Sequence, residues 1–374
     1  MIKRQITDRI TESLKKRNAV LLTGARQVGK TTLVKSIAKV INQDWDYWNC
    51  DEPDIRENLN SPTSTFLKNL IGNKKLIVID EAQRIPDIGI SVKLITDNFK
   101  DVKLIITGSS SIDLRNTVSE SLTGRKFEIY LFPFSYAELV DDSSPLIQKR
   151  LLNSRLIYGM YPEITNNPGD EEDMLLEITS SYLYKDVLML GEIRKPELLD
   201  KLLQMLALQL GSEVSVNELS GNIGVSRETI TKYIDLLEKS FVIFSLNSYS
   251  RNQRNELKKS RKIYFYDLGI RNSIIKNFNP VELRNDVGAL WENFLIVERM
   301  KLRNNRKISS NQYFWRTVQN QELDFIETSR GNISAYEFKW NPKSKVKSNS
   351  TFKNMYPESK IGIIHRDNFE SFVC

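Results

Sequence analysis

Residues 18–41 read NAVLLTGARQVGKTTLVKSIAKVI, and three patterns follow one another in them. Ala19 to Leu22 is a short apolar run of strand type. Gly24-Ala25-Arg26-Gln27-Val28-Gly29-Lys30-Thr31 matches the spacing G-x-x-x-x-G-K-T. Leu33, Ile37, Val40 and Ile41 then recur at helical intervals. Strand, glycine-rich turn and helix are the context in which this spacing carries chemistry. Glycines let backbone N–H groups wrap phosphates, and a helix N-terminus adds positive potential. Lys30 can reach β- and γ-phosphates, and Thr31 can ligate Mg2+. Gly24, Ala25, Arg26, Gln27, Val28, Gly29, Lys30, Thr31 and Thr32 are therefore expected to bind ATP with Mg2+. The competing reading is a degenerate site that binds without turnover.

Two further strands support hydrolysis. Residues 75–86, KLIVIDEAQRIP, end an apolar run in Asp80 and Glu81. An acid at the C-terminal edge of a buried strand is where a Mg2+ ligand belongs. Asp80 is expected to hold the metal and Glu81 to polarise the attacking water. Residues 102–114, VKLIITGSSSIDL, run into three serines. Ser109 or Ser110 would sense the γ-phosphate there; plain helix capping by serine is the alternative. Arg125 follows a Thr-Gly turn, which suits either an arginine finger or an ordinary surface arginine.

These residues carry a resemblance. LLTGARQVGKTTL (21–33), LIVIDEAQRIPD (76–87), IITGSSS (105–111) and SLTGRKFEIYLFPFSYAEL (121–139) look like the AAA-type ATPases of archaea and bacteria that bear a C-terminal domain of unknown function. The resemblance implies an α/β, P-loop NTPase (AAA+) core with a parallel sheet over residues 1–135, then a helical lid over 136–200. In the wider class the sensor is often Asn, where this chain has Ser. Tyr184-Lys185-Asp186 also fits the family pattern, without a mechanism to attach to it.

Residues 201–250 change character. SVNELSGNIGVSRETITKYIDLLEKSFVIFSL (215–246) predicts helix, turn at Gly224, helix and strand. Ser226 is a suitable N-cap, and Ile230, Ile234 and Leu237 mark a buried face. This reads as a winged-helix module, with Arg227, Thr231 and Lys232 placed either for a DNA groove or on a plain packing element. Residues 250–262 are strongly basic and suit either contact with phosphates or a solvated loop.

The last domain, 251–374, is expected to be small and α/β. A helix begins near VGALWENFLIVERMKLR (287–303), with Leu290, Phe294, Val297 and Lys301 on one stripe and Glu292 off it. QELDFIETSRGNISAYEFKW (321–340) predicts a hairpin. Alternation places Glu322, Asp324 and Ile326 on one face, and Ile333, Ala335, Glu337 and Lys339 on one face. A two-residue turn at Arg330-Gly331 sets Asp324 across from Glu337, with Cβ atoms about 5 Å apart. A turn one residue later would instead set Asp324 across from Lys339, on the same face. Asp-x12-Glu-x-Lys after a helix bearing Glu292 is similar to the PD-(D/E)XK nuclease superfamily. That resemblance implies a restriction-endonuclease-like domain with Glu292, Asp324, Glu337 and Lys339 at its four polar positions. Leu323 stands where the family has proline. A salt-bridged hairpin without activity is the alternative.

Composition narrows the partners. Residues 1–200 carry a charge of −2 and residues 201–374 a charge of +9, which suggests a polyanion partner for the second half, duplex or branched DNA being the candidate. His365 is the only histidine, and Cys50 and Cys374 are the only cysteines, in no metal-binding spacing. Histidine-based catalysis and zinc sites are thereby disfavoured. No apolar run suits a membrane, and the first ten residues lack the apolar core of a secretory leader, so a cytoplasmic location is expected. The sequence thus points to an ATPase with a basic region that engages nucleic acid, with or without cutting it. The other reading is a nucleotide-dependent switch that binds a protein partner. An arginine finger supplied in trans would require a nucleotide-dependent homo-oligomer.

Overall fold

The apolar run at Ala19–Thr23 forms strand β1, buried along its whole length. In the computed structural model, which describes residues 2–41, 44–109, 126–180, 196–249, 261–317, 319, 321–344 and 350–374, β1 lies inside a five-stranded sheet. Its neighbours are β2 (Trp45–Asn49), β3 (Leu76–Asp80), β4 (Lys103–Gly108) and β5 (Lys126–Tyr130), in the order β2-β3-β4-β1-β5. Every pairing is parallel. β1 and β3 are buried at every residue because helices cover both faces of such a sheet, which is why their sequences are unbroken apolar runs. On one face Leu21, Ile77, Ile79, Leu104 and Ile106 pack with Leu59, Leu67, Val92 and Ile95. The C-terminal ends of β1, β3 and β4 are adjacent, so the residues just after them gather at one edge.

The chain divides into two compact units. The first runs to Phe134, with Lys239–Phe241 and Asn304–Arg306. The second comprises Ser135–Glu238, Val242–Arg303 and Lys307–Cys374. The helices read from the sequence as a lid belong, as far as they are described, to this second unit.

The second unit is built around a short helix, Leu268–Ile274, of which every residue is buried. Asp267 caps it, accepting from the N–H groups of Gly269 (2.9 Å) and Ile270 (3.3 Å) with one oxygen. Its other oxygen accepts the N–H of Met160 at 2.8 Å. Gly159, at φ +70°, lies against this carboxylate, and a Cβ there would stand 2.0 Å from Asp267 Oδ1. Gly159→Ala therefore meets both a backbone conformation that favours glycine and a clash with a buried carboxylate. It is expected to destabilise the second unit by more than about 3 kcal/mol. An unchanged denaturation midpoint would refute this account.

Helices Val216–Ile223 and Arg227–Lys239 follow, joined through Gly224 at φ +77°. Ser226 accepts the N–H of Thr229 at 3.2 Å, and Ile230, Ile234 and Leu237 are buried. Arg227, Thr231 and Lys232 are exposed. Strands β6 (Glu213–Val214), β7 (Ile243–Asn247) and β8 (Arg261–Phe265) form an antiparallel sheet beside them, in the order β6-β8-β7.

The remainder is a helix, three strands, a helix, a strand and the short closing helix Glu370–Val373. The long helix Val287–Arg306 is followed by β9 (Asn311–Arg316), β10 (Glu322–Ser329), β11 (Asn332–Lys339), helix Ser350–Met355 and β12 (Lys360–His365). The sheet order is β12-β11-β10-β9, antiparallel except for β11 with β12. Arg330 (φ 49°) and Gly331 (φ 84°) both take positive φ, the geometry of a two-residue hairpin turn matched to strand twist. The ladder runs from Ser329 opposite Asn332 to Phe325 opposite Tyr336, so Asp324 and Glu337 lie one step beyond it. The long helix buries more than the stripe expected of it. Glu298 and Lys301 are both buried and joined at 2.8 Å, and Glu298 accepts the N–H of Tyr136 at 2.5 Å. Among the described residues no helix is long and apolar enough to cross a membrane.

Candidate functional site: a phosphate loop and a carboxylate–lysine cluster

The loop between β1 and the helix Lys30–Ile41 holds a close approach that the motif alone does not reveal. A Cβ on Gly24 would lie 2.1 Å from the carbonyl oxygen of Leu131, so this glycine lets the loop pack on the chain after β5. Gln27 (φ 59°) and Gly29 (φ 91°) take left-handed conformations, which turn successive N–H groups toward a common concavity. Lys30 is buried, and its Nζ donates to Gly24 O at 3.0 Å and Ala25 O at 2.8 Å. Val28 is buried; Ala25, Arg26 and Gln27 are half-buried, and Thr32 is exposed. Arg4 braces the loop from below. Its guanidinium donates to Val28 O at 3.2 Å and Phe132 O at 2.5 Å, and stacks 4.7 Å from the Phe134 ring centroid.

Thr31 Oγ1 donates to Asp80 Oδ2 at 2.7 Å. A helix-borne hydroxyl and a strand-end carboxylate in contact are a hard-oxygen donor set that fits Mg2+. Asp80 is almost wholly buried and also accepts from Tyr47 Oη at 2.5 Å and from Thr107 Oγ1. Burial, together with the hydrogen bond and charge of Asp80, raises the Tyr47 hydroxyl above its ordinary pKa. The Lys35 ammonium lies 4.1 Å from the centroid of the same ring.

Glu81 takes φ 53°, a left-handed conformation costly for a non-glycine residue, and its N–H donates to Thr107 Oγ1 at 3.3 Å. Gln83 Nε2 donates both to the Glu81 carboxylate and, at 2.9 Å, to Ser109 Oγ. One carboxamide thus links the water-polarising candidate to the sensor candidate. Gln83→Ala is expected to lower kcat about tenfold while the KM for ATP changes little, because it frees Glu81 without touching the phosphate loop. Equal effects on both parameters would speak against a positioning role. Arg125, Ser110 and Tyr184-Lys185-Asp186 lie outside the described residues.

In the second unit Glu292, Asp324, Glu337 and Lys339 come into one neighbourhood, joined by three residues the sequence reading did not select. Lys262 Nζ is 3.0 Å from Glu292 Oε1 and 2.5 Å from Glu322 Oε1. Tyr264 Oη donates to Glu292 Oε1 at 2.5 Å. Lys339 Nζ is 2.7 Å from Glu337 Oε1, and Asp324 Oδ2 accepts the N–H of Phe338 at 2.6 Å. The pairing of β10 with β9 shifts register between Leu323 and Ile326, a bulge that falls on Asp324 and Phe325. Bulges re-aim side chains in this way.

Burial and the charge of Glu292 push the Asp324 carboxyl up to about 7. For Lys262 burial opposes the charge, but Glu292 and Glu322 outweigh it and the ammonium is held above its ordinary pKa. Burial first, then Glu292, raises the Tyr264 hydroxyl. Among the described residues no three carboxylate, histidine or cysteine side chains are arranged to hold a metal ion.

A family model described as an AAA domain matches residues 16–140. Residues 16–140 are a P-loop ATPase domain of the AAA type. Two models of domains of unknown function, DUF8612 and DUF4143, match residues 149–281 and 287–372. The chain is 28% identical over 342 residues to an uncharacterized protein of Mycobacterium tuberculosis, covering 90% of this chain and 74% of that one. It is 26% identical over 329 residues to an uncharacterized protein of Methanocaldococcus jannaschii, covering 82% and 71%. The Walker-type ATPase of Pyrococcus abyssi is similar over 74% of this chain and 96% of its own, with TM-score 0.48 and 15% identity.

Around the phosphate loop the residues missed from sequence are Arg4, Tyr47, Gln83 and Thr107. Gln83 and Thr107 sit two residues from selected positions, so a reading that asked what holds each catalytic side chain would have reached them. Arg4 and Tyr47 left no such signal.

Proposed function

We propose that the protein is a Mg2+-dependent ATPase whose nucleotide state governs how its basic C-terminal region engages nucleic acid. The observation that carries the hydrolytic half is the contact of Thr31 Oγ1 with Asp80 Oδ2 at 2.7 Å, beside a lysine buried in the loop. Thr31 and Asp80 would hold Mg2+, which would offset charge developing on the phosphates. Lys30 turns from the loop carbonyls to the β- and γ-phosphates and binds them. Glu81 orients the attacking water and takes up its proton. Gln83 holds that carboxylate in place, and Ser109, on the same carboxamide, contacts the γ-phosphate. Arg125 is proposed as an arginine finger, supplied within the chain or by a second copy.

The nucleic-acid half rests on the charge of +9 over residues 201–374 and on exposed Arg227, Thr231 and Lys232. Of the two tasks expected of this region, engagement and cleavage, the proposal takes the first, because Lys262 already occupies carboxylates of the nuclease-like cluster. The second reading, a switch that binds a protein partner, is favoured by exposed Leu146, Ile147 and Leu151 in one short segment. A cytoplasmic location suits either.

ATP turnover with duplex, single-stranded and branched DNA decides between them. Nucleic acid is expected to raise turnover severalfold, with binding that weakens steeply as salt rises. Turnover indifferent to all three nucleic acids, with no salt-sensitive binding, would leave the partner switch.

A further inference from the structure

We infer that Lys262, on Glu292 and Glu322, and Lys339, on Glu337, are the resident cations of the Glu292–Glu322–Asp324–Glu337 cluster, taking up the charge that a nuclease of the resembled type would present to a divalent metal. The inference does not depend on the ATPase reading.

Three observations carry it. Lys262 is 2% exposed, and its ammonium bonds Glu292 and Glu322 at once while facing the Phe314 ring, 5.4 Å from its centroid. A buried ammonium must replace its lost hydration with oxygens, and here two carboxylates do so. Every other carboxylate of the cluster is also turned to a donor of the chain: Glu337 to Lys339, Asp324 to the N–H of Phe338, and Glu292 additionally to Tyr264. A divalent ion needs several oxygens converging on one point at roughly 2.0–2.6 Å. These carboxylates are instead satisfied by donors of the chain itself: Glu292 and Glu322 share Lys262, while Glu337 and Asp324 turn to Lys339 and the N–H of Phe338.

The donors and acceptors come from strands, helix and backbone alike, so the arrangement belongs to the fold and not to one mobile side chain. Lys262 is on β8, Glu292 on the long helix, Glu322 and Asp324 on β10, and Glu337 and Lys339 on β11. A metal entering this cluster would have to displace a lysine ammonium from its carboxylate, Lys262 from Glu292 or Lys339 from Glu337, leaving it beside a like charge. The cluster therefore acts as an internal clasp that ties β8 and the long helix to the hairpin. The region meets polyanions through its outer charge and does not cut them by metal-assisted hydrolysis.

The test uses the full chain without nucleotide and the electron paramagnetic resonance signal of free Mn2+. Wild-type protein and Asp324→Asn are expected to deplete the signal equally, since any Mn2+ at the phosphate loop is insensitive to that change. Lys262→Met, which keeps the stem and removes the charge, is expected to gain Mn2+ uptake that Lys262→Met/Asp324→Asn loses again. Uptake by the wild type that Asp324→Asn abolishes would overturn the inference. So would a folded Lys262→Met that gains none. If Lys262→Met does not fold, the wild-type comparison still decides, together with cleavage of labelled duplex and branched DNA in Mg2+ or Mn2+. Cleavage lost in Asp324→Ala would overturn the inference, and no cleavage under any condition would support it.

Discussion

Replacing Lys30 with alanine is expected to lower ATP turnover by about a thousandfold or more, equivalent to roughly 4 kcal/mol of transition-state stabilisation. The ammonium is buried at the mouth of the phosphate loop and rests on Gly24 O and Ala25 O, so its charge is little screened by water. Charge on the transferred phosphoryl group spreads over its outer oxygens as the bond breaks, and a preorganised cation there stabilises that state more than the ground state. The loop itself should survive the change. The variant loses the bonds from the ammonium to Gly24 O and Ala25 O, but the packing of Gly24 on Leu131 and the bond from Arg4 to Val28 O remain to hold the loop. Phosphate release measured on a variant with a wild-type melting curve is the check. Turnover unchanged in such a variant would remove the phosphate-loop assignment, and with it the ATPase reading.

Glu81→Gln is expected to separate binding from chemistry. Glutamine keeps the size of the side chain and an oxygen that can accept from Gln83, so the local network persists. It cannot take a proton from water. Turnover should fall on the order of a hundredfold while ATP binding stays within about twofold of wild type. Glu81 is also held at φ 53° directly after the buried Asp80, which points adjacent side chains to different tasks. Asp80 faces Thr31 inside the sheet edge, and Glu81 faces outward to Gln83 and, through it, Ser109. Equal turnover in the variant would show that another group handles the water.

How far this arrangement can be read from the chain depends on the distance over which each feature is encoded. The phosphate loop is contiguous: its spacing, the apolar run before it and the helical period after it specify a local backbone, and the structure has that backbone. The strands that end at Asp80 and just before Ser109 announce themselves in the same way, because a parallel strand covered on both faces must be apolar at nearly every position. The hairpin register is also local, since Arg330 and Gly331 at positive φ close a two-residue turn and every later pairing follows from it.

What no local pattern specified is which side chains meet across elements. KIYFYD reads as an apolar strand with aromatic core residues, and Tyr264 is indeed buried; only packing brings its hydroxyl and the Lys262 ammonium onto Glu292, 28 and 30 residues on. The bulge at Asp324 is likewise an agreement between β10 and β9, not a property of either strand. Periodicity reports which face of an element is covered. It is silent on the chemistry of what covers it, and so the sequence by itself determined a P-loop core and a carboxylate-bearing hairpin, while only the tertiary structure decided that Lys262 joins Glu322 of that hairpin to Glu292 of the long helix.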